Sequence, residues 1–339
     1  MNMATIKDIS KLAHVSPGTV SRALSPEKSE YVAKQTRDKV RQVADKLGYK
    51  YSLEPKQSKN QLNFVLMTTL SLEEETRDEY WRFVRRGVYE AANSRHINIA
   101  RVIRPDKSID PHRFAEYDAV IIVGTISQAA IKTIKAVNPN LVVVDSGSYD
   151  HDQIDIVDTN LAELTTHALD EMGRISQSIA FIGGNRHEVD IDGKSGVIVE
   201  DARTGAYKKW CQDNNRTPII KLTDWTAKQS MDATDALLGQ YGHKIDGLIV
   251  ASDPLSIGVM KGLAKHNVVP GKDLKLISYD DLEFASYLTP SLTSIWLPKV
   301  ELGYAAVLHA ETLVNFPRNW HTRNIIPGKF HYRETFQKP

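Results

Sequence analysis

Apolar residues along this chain keep two different rhythms. Up to about residue 48 they fall at helical spacing: Ile6, Ile9, Leu12 and Ala13, then Val20, Ala23 and Leu24, then Val40, Val43, Ala44 and Leu47. Each run carries helix punctuation. Thr5 followed by Asp8 reads as an N-cap with an acid at the third helical position, and His14-Val15 ends that first helix. Ser16 caps the second helix and Pro17 takes its first position, where a missing N–H costs nothing. The third helix runs from about Ala33 to Leu47, and Gly48 stops it. From Leu62 the rhythm shortens. "LNFVLMT", "INIARVI", "YDAVIIVG", "NLVVVDS", "SIAFIGG", "TPIIKLT", "IDGLIVAS" and "LKLISYDD" alternate with amphipathic stretches such as "DEYWRFVRRGVYEAANSR", "NLAELTTHALDEMGR" and "DPLSIGVMKGLAKHN". Buried strands joined by crossover helices predict doubly wound parallel α/β sheets. Eight strands exceed one comfortable sheet, and a break near Asp158–Asn160 divides them four and four. The expectation is two lobes with a cleft at the strand carboxyl ends, where such sheets bind ligands.

Charge sharpens this division. Residues 1–60 hold 12 Lys/Arg against 6 Asp/Glu, and the rest hold 31 against 36. A basic head on an acidic body suggests a polyanion-binding module joined to one that does not touch nucleic acid. With 41% hydrophobic and 25% charged residues the composition is that of an ordinary globular protein. No apolar run approaches the roughly 20 residues of a membrane span, and the N-terminus lacks a secretory pattern. The single cysteine, Cys211, excludes an intramolecular disulfide and a cysteine-based zinc site. A cytoplasmic protein is expected.

On the second helix Val20, Ala23 and Leu24 share one face, while Pro17, Gly18, Ser21 and Arg22 point the other way. Two short helices, a tight turn and a polar outer face on the second describe a helix-turn-helix, whose second helix enters the DNA major groove. Arg22 is the natural reader of guanine O6/N7. Lys34, Arg37, Lys39, Arg41 and Lys46 are candidates for phosphate neutralisation. The ordinary alternative is a solvated three-helix bundle.

"MATIKDISKLAHVSPGTVSRALS", with "TVSRAL", and the later "T-R-x-x-V-x-x-x-A-x-x-L-G-Y" string resemble the DNA-binding head of the LacI/GalR family of transcriptional regulators. The resemblance implies a homodimer on a pseudo-palindromic double-stranded operator. Pro17, Gly18 and Arg22 then sit where the family chooses bases, and Ser16, Thr19 and Ser21 where it holds phosphates or adjacent bases. Thr5 is the N-terminal contact, and Tyr31 and Thr36 are backbone contacts. Two departures stand out. Ala33 replaces the usual Ser/Thr cap of the third helix, a loss of about 0.5–2 kcal/mol unless Ser29 or water substitutes. The hinge, "YKYSLEPKQSKNQ", is short. Ser52 could cap a brief helix with Leu53 as the apolar minor-groove wedge, or the segment is a plain linker. The domains expected are a head over 1–51, a hinge over 52–61 and a two-lobed body over 62–339. Lobe 1 spans about 62–158 and 296–321, and lobe 2 about 159–295 and 322–339, with crossings near Asp158, Ile295 and Thr322.

The body resembles the sugar-binding core shared by that family and periplasmic sugar-binding proteins. The resemblance implies Arg203 as the effector arginine, and Asp280 and Asp253 as acidic positions near the pocket. Trp225 would stack on a pyranose, and Tyr80, Trp81, Asp145 and Asp158 would face the ligand from the other lobe. "SIWLPK" puts Trp296 and Leu297 where relatives often carry a glutamine. Such a mixture of donors, acceptors and aromatics suits a carbohydrate, although Asp145 and Asp280 also suit helix caps and Trp225 an ordinary core. The stretch "FIGGNRHEVDIDGKSGVIVEDART" and the "YDAVIIVG" to "VDSGSYD" region resemble repressors of galactose, raffinose or β-galactoside operons, which implies a galactose-type effector and no enzyme activity. Two alternatives stay open: a global catabolite regulator whose corepressor is a phosphocarrier protein, and a sugar-binding receptor or enzyme on the same scaffold. The chain ends soon after "FHYRETFQKP" without a heptad tail, so no tetramer through a C-terminal helix bundle is expected.

Other motifs fail. A Walker loop ending at Gly193-Lys194-Ser195 needs glycine where the chain has Glu188. Gly183-Gly184 makes no G-x-G-x-x-G, and Asn215-Arg216-Thr217 matches a glycosylation acceptor by chance. No metal cluster, G-x-S-x-G elbow, catalytic constellation or cofactor motif is present.

Overall fold

The computed structural model describes residues 4–25, 28–49, 51, 61–105, 108–146 and 153–338. The chain divides into two compact units, Met1–Gln61 and Leu62–Pro339. In the first, α1 (Ile6–Ala13), α2 (Pro17–Ala23) and α3 (Lys34–Lys46) pack around Ile9, Ala13, Val20, Ala23, Val40 and Ala44. Local chemistry sets each start. The Thr5 N–H donates to the Asp8 carboxylate at 2.9 Å and the Asp8 N–H to the Thr5 hydroxyl at 3.4 Å, a capping box, and His14 takes a left-handed φ of 55° to end α1. The Ser16 hydroxyl accepts from the Thr19 N–H at 3.1 Å, with Pro17 in the first turn. One expectation needs correction and one open alternative is decided. Leu12 lies on the flank of the buried stripe and is 56% exposed. Ala33 leaves α3 without a side-chain cap, and Ser29 does not replace it: its carbonyl accepts from the Arg37 guanidinium at 3.1 Å instead.

The second unit begins with β1 (Asn63–Thr68), α4 (Leu72–Arg77), α5 (Glu79–Ser94), β2 (Asn98–Ile103), β3 (Ala119–Val123), α6 (Gln128–Val137), β4 (Leu141–Val144) and β5 (Asp155–Asp158). After a first crossing come α7 (Leu161–Gly173), β6 (Ile179–Gly184), β7 (Arg186–Val189), β8 (Ser195–Val199) and α8 (Ala202–Asp213). There follow β9 (Ile220–Thr223), α9 (Ala227–Tyr241), β10 (Gly247–Val250), α10 (Asp253–Lys265), β11 (Lys275–Asp280) and β12 (Thr293–Trp296). The chain returns through α11 (Lys299–Asn315) and closes with β13 (Arg323–Ile325) and β14 (Lys329–His331).

These strands form two six-stranded sheets, β13-β5-β4-β3-β1-β2 in lobe 1 and β14-β12-β11-β10-β6-β9 in lobe 2. Within these two sheets every pair is parallel except β12 with β14, and β7 and β8 form a separate antiparallel pair. Along β1, Phe64 and Leu66 join one apolar cluster while Val65 and Met67 join another, so both faces of the sheet are covered. All eight apolar runs are strands, but the sheets hold six and six rather than four and four. The short β5, "DIVD", was hidden because only two apolar residues separate its aspartates. The crossings also shift. Trp296 still pairs in lobe 2, so the return to lobe 1 lies between Trp296 and Lys299. Residues 323–325 pair with β5, so the last crossing lies between Ile325 and Lys329 and not near Thr322. Among the described residues no helix is long and apolar enough to cross a membrane.

Helices α5 and α11 cross almost backbone to backbone. A Cβ at Gly87 would lie 1.9 Å from the Val300 carbonyl, and one at Gly303 would lie 2.0 Å from the Val84 carbonyl. We expect Gly303→Ala to force the helices apart at a cost of about 1–3 kcal/mol. A urea midpoint equal to that of the unmodified chain would contradict this close crossing.

Candidate functional site

Two surfaces gather polar residues outside the apolar cores. The first lies on the head. Ser16, Pro17, Gly18, Ser21 and Arg22 are all exposed on the outer side of α2, opposite the buried Val20 and Ala23, and Thr19 is half-buried. Tyr31 is 84% exposed in the loop before α3, and Thr36 is half-buried in the first turn of α3. The Thr5 side chain is spent on its capping box, while Lys34, Lys39 and Lys46 are exposed. Leu53 lies outside the described residues.

The second is a cleft of about 590 Å³ in the body. Its walls come from strand carboxyl ends in both sheets: Thr69, Gly124 and Asp145 after β1, β3 and β4, and Asn185, Trp225 and Ser252 after β6, β9 and β10. That is the position at which parallel sheets leave backbone groups and loops free for a ligand. Arg203, in the first turn of α8, is held by Asp201, which accepts from its Nε at 2.7 Å and its Nη2 at 2.8 Å. The Ala251 carbonyl accepts from Nη1. Three of the guanidinium's five N–H groups are thereby committed and two remain. The Arg203 guanidinium sits 5.2 Å from the Trp225 ring centroid. Trp225 is half-buried, holds a positive φ of 60° and donates from its indole N–H to the Asn185 carbonyl at 2.8 Å.

Asp280 ends β11 with an unusual φ of 99°, and its buried Oδ2 has no hydrogen-bond partner. Burial, then the neighbouring Asp78 and Asp253, push its carboxyl well above the ordinary range, against Lys299 and Arg203. A buried acceptor left open in a cleft is costly unless a donor arrives. From the other wall Asp78 caps α5, accepting from the Tyr80 N–H at 3.0 Å, and Tyr80 packs edge-on against Trp81 with centroids 4.9 Å apart. The cleft thus offers spare donors, an open acceptor and aromatic rings. Among the described residues no cluster of three or more His, Cys, Asp or Glu is placed to hold a metal ion.

Residues 5–52 match the family model for bacterial regulatory proteins of the lacI family, and residues 174–336 match a periplasmic binding protein-like domain. The HTH-type transcriptional repressor MelR of Bacillus subtilis is 26% identical over 313 residues, 90% of each chain. Further curated relatives are also named as HTH-type transcriptional regulators, not enzymes. The chain carries a LacI-family helix-turn-helix domain followed by a periplasmic binding protein-like domain. Its fold is that of the lac repressor dimer bound to operator and the anti-inducer ONPF, with a TM-score of 0.67 at 19% identity over 98% of this chain and 99% of that one. It is equally that of a complex of the regulator CelR with cellobiose, at 0.66 and 19% over 98% and 100%.

In the periplasmic binding protein-like body the cleft brings together Arg203, Asp280, Trp225, Tyr80, Trp81 and Asp145. Three other expected residues do not line it. Asp253 is fully buried, accepting from the Leu282 N–H and the Ser294 hydroxyl, both at 2.8 Å. Asp158 turns to the Ser146 N–H at 3.0 Å and to Arg323 at 3.1 Å. Trp296 lies under the Lys329 ammonium, and its neighbour Leu297 faces the cleft instead. The resemblance that suggested these residues did not reveal the direction of their side chains. It also missed Asp78 and Arg186. Asp78 precedes "EYW" as a cap, the same local signal that marks Thr5. Arg186 lies just past the end of β6, and it pairs with Asp201 at 3.0 Å and with Asp145 at 3.2 Å.

Burial of Asp158, reinforced by Asp145, raises its carboxyl to about 7 despite Arg323 and Ser146. The folded regulator therefore holds this proton more tightly than an unfolded chain, whose aspartates titrate near about 3.9. The associated stability is full below that value and is lost as pH rises through about 7. We expect Asp158→Asn to flatten the fall in Tm between about pH 5 and 8. An unchanged slope would show that Asp158 is ionised throughout that window.

Proposed function

We propose that this regulator is a repressor of a sugar-utilisation operon that binds operator DNA as a homodimer in the cytoplasm and is controlled by a small sugar in the body cleft, a galactose-type sugar in the first instance. The observation that carries the reading is the pairing, in one cleft, of the open buried Asp280 acceptor with the two uncommitted N–H groups of Arg203 beside Trp225. A pyranose supplies hydroxyl donors for the first, hydroxyl acceptors for the second and a C–H face for the third. On the head, the exposed outer side of α2 offers Arg22 to base edges, with lysines of α3 to phosphates. Effector binding closes the cleft and depopulates the operator-binding arrangement. To move that equilibrium almost completely from one state to the other the sugar must discriminate between them by about 5.5 kcal/mol.

A thermal-shift panel of galactose, lactose, raffinose, glucose and ribose tests the cleft, and gel shifts on duplexes selected from random DNA test the head across a salt series. The reading expects saturable stabilisation by a galactose-type sugar, and DNA affinity that falls steeply with salt. Stabilisation by none of these sugars, together with tight binding of a phosphocarrier protein, would replace the sugar by a protein corepressor. DNA binding that is absent or insensitive to salt would remove the repressor role.

A further inference from the structure

Between β6 and α8 the chain makes a hairpin that belongs to neither large sheet. β7 and β8 pair antiparallel, with Arg186 opposite Val199 and His187 opposite Ile198. Gly193 turns the hairpin at a positive φ of 79° and donates its N–H to the Asp190 carbonyl. In chain order the hairpin is part of lobe 2, yet its tip is bonded to lobe 1. The Val189 N–H donates to the Thr125 carbonyl at 3.1 Å, and the Val189 carbonyl accepts from the Ser127 N–H at 3.0 Å. The Ile191 carbonyl accepts from the Ile109 N–H at 2.9 Å. The Ser127 hydroxyl donates to Asp190 Oδ2 at 2.6 Å. Ile191 packs on the apolar cluster of lobe 1, while Val197 and Ile198 on the return strand stay 70% and 57% exposed.

The base of the hairpin is tied as well. Arg186 Nη1 donates to the Asp145 carbonyl at 3.1 Å and to its carboxylate at 3.2 Å, and Arg186 Nε donates to Asp201 at 3.0 Å. Asp201 in turn holds Arg203. A line of alternating charge, Asp145 to Arg186 to Asp201 to Arg203, therefore runs from lobe 1 through the hairpin to the cleft arginine.

We infer that this hairpin is a strap: it ties the lobes together beside the cleft, and a sugar enters or leaves only when the strap lets go of lobe 1. The inference rests on the sugar reading of the cleft and adds to it the element that controls access. The hold consists of a few hydrogen bonds and one docked isoleucine, without a continuous apolar core. That is the construction expected of a segment that opens locally while the sheets stay folded. His187, Val189 and Gly193 line the cleft, so the strap is part of its wall and its release widens the cleft directly. Arg186 is a positioning residue in this scheme: release of Asp145 also loosens the support of Asp201 and Arg203.

A reversible lock tests the strap. Ser127 and Asp190 meet through their side chains, and the native Cys211 is buried, so the full-length Ser127→Cys/Asp190→Cys chain can be compared oxidised and reduced. Stopped-flow tryptophan fluorescence with galactose and with lactose reads uptake, since Trp81 and Trp225 line the cleft. Oxidation is expected to slow uptake and release at least about tenfold, and reduction to restore them. Equal rates in both states overturn the strap. If neither sugar gives a saturable signal in the unmodified chain, the galactose-type reading fails by itself, and amide exchange on that chain decides the strap. The same exchange measurement decides it if the disulfide does not form. Val189, Ser127 and Ile109 should exchange as a group, at least about tenfold faster than the amides of β3 and β6. Exchange at the rates of those strands overturns it.

Discussion

Arg203→Ala is expected to leave a protein that still binds DNA but no longer responds to sugar. Each charge-assisted hydrogen bond to an effector is worth about 1.5–3 kcal/mol. Two uncommitted N–H groups on this cleft-lining guanidinium therefore correspond to a loss in sugar affinity of at least about a hundredfold. The same truncation removes a buried partner of Asp201, whose carboxyl is held well below the ordinary range by Arg203 and Arg186 against the penalty of burial. Breaking a buried pair outright costs about 3–5 kcal/mol. Arg186 still pairs with Asp201 at 3.0 Å, so the cost should fall at or below the lower end. Tm, DNA affinity and sugar affinity measured on one preparation separate these effects. Normal sugar affinity in a folded variant would place the pocket elsewhere.

Arg22→Ala acts on the other surface. Arg22 is exposed near the end of α2, so stability should change by no more than about 0.5 kcal/mol. A bidentate arginine–guanine contact carries about 1–3 kcal/mol of base discrimination, and the variant should lose that preference while keeping salt-dependent attraction to any duplex. The ratio of operator to random-DNA affinity is the quantity to compare, with sugar binding as the control. An unaltered ratio would remove Arg22 from base readout.

What the sequence displayed and what it concealed follow from range. Helix caps are settled within three residues, so Thr5 with Asp8, and Ser16 with Pro17, were legible at once. Runs such as "AVIIV" and "LVVV" declare buried parallel strands without any knowledge of their neighbours. The strand β5 was not legible because Asp155 and Asp158 are buried only by virtue of remote partners. Thr322, for example, donates its N–H to Asp155 at 3.1 Å from 167 residues away. The hairpin was passed over for the same reason. "RHEVDIDGKSGVIV" is charged and glycine-interrupted, and its docking partners Ile109, Thr125 and Ser127 lie far upstream. Asp253 follows β10, but its carboxylate turns inward to the Leu282 N–H and Ser294. Rotamer choice of that kind depends on neighbours that only the assembled sheet supplies.

The claim beneath all of this is that occupation of the crevice and hold on the double helix are two readings of one equilibrium. Fluorescence titration of a selected duplex with the full-length protein, repeated over a range of galactose concentrations, measures it. The reciprocal titration of galactose is made with duplex present and absent. The account predicts that sugar changes duplex affinity by the same factor by which duplex changes sugar affinity. Two tight but independent binding curves would contradict it.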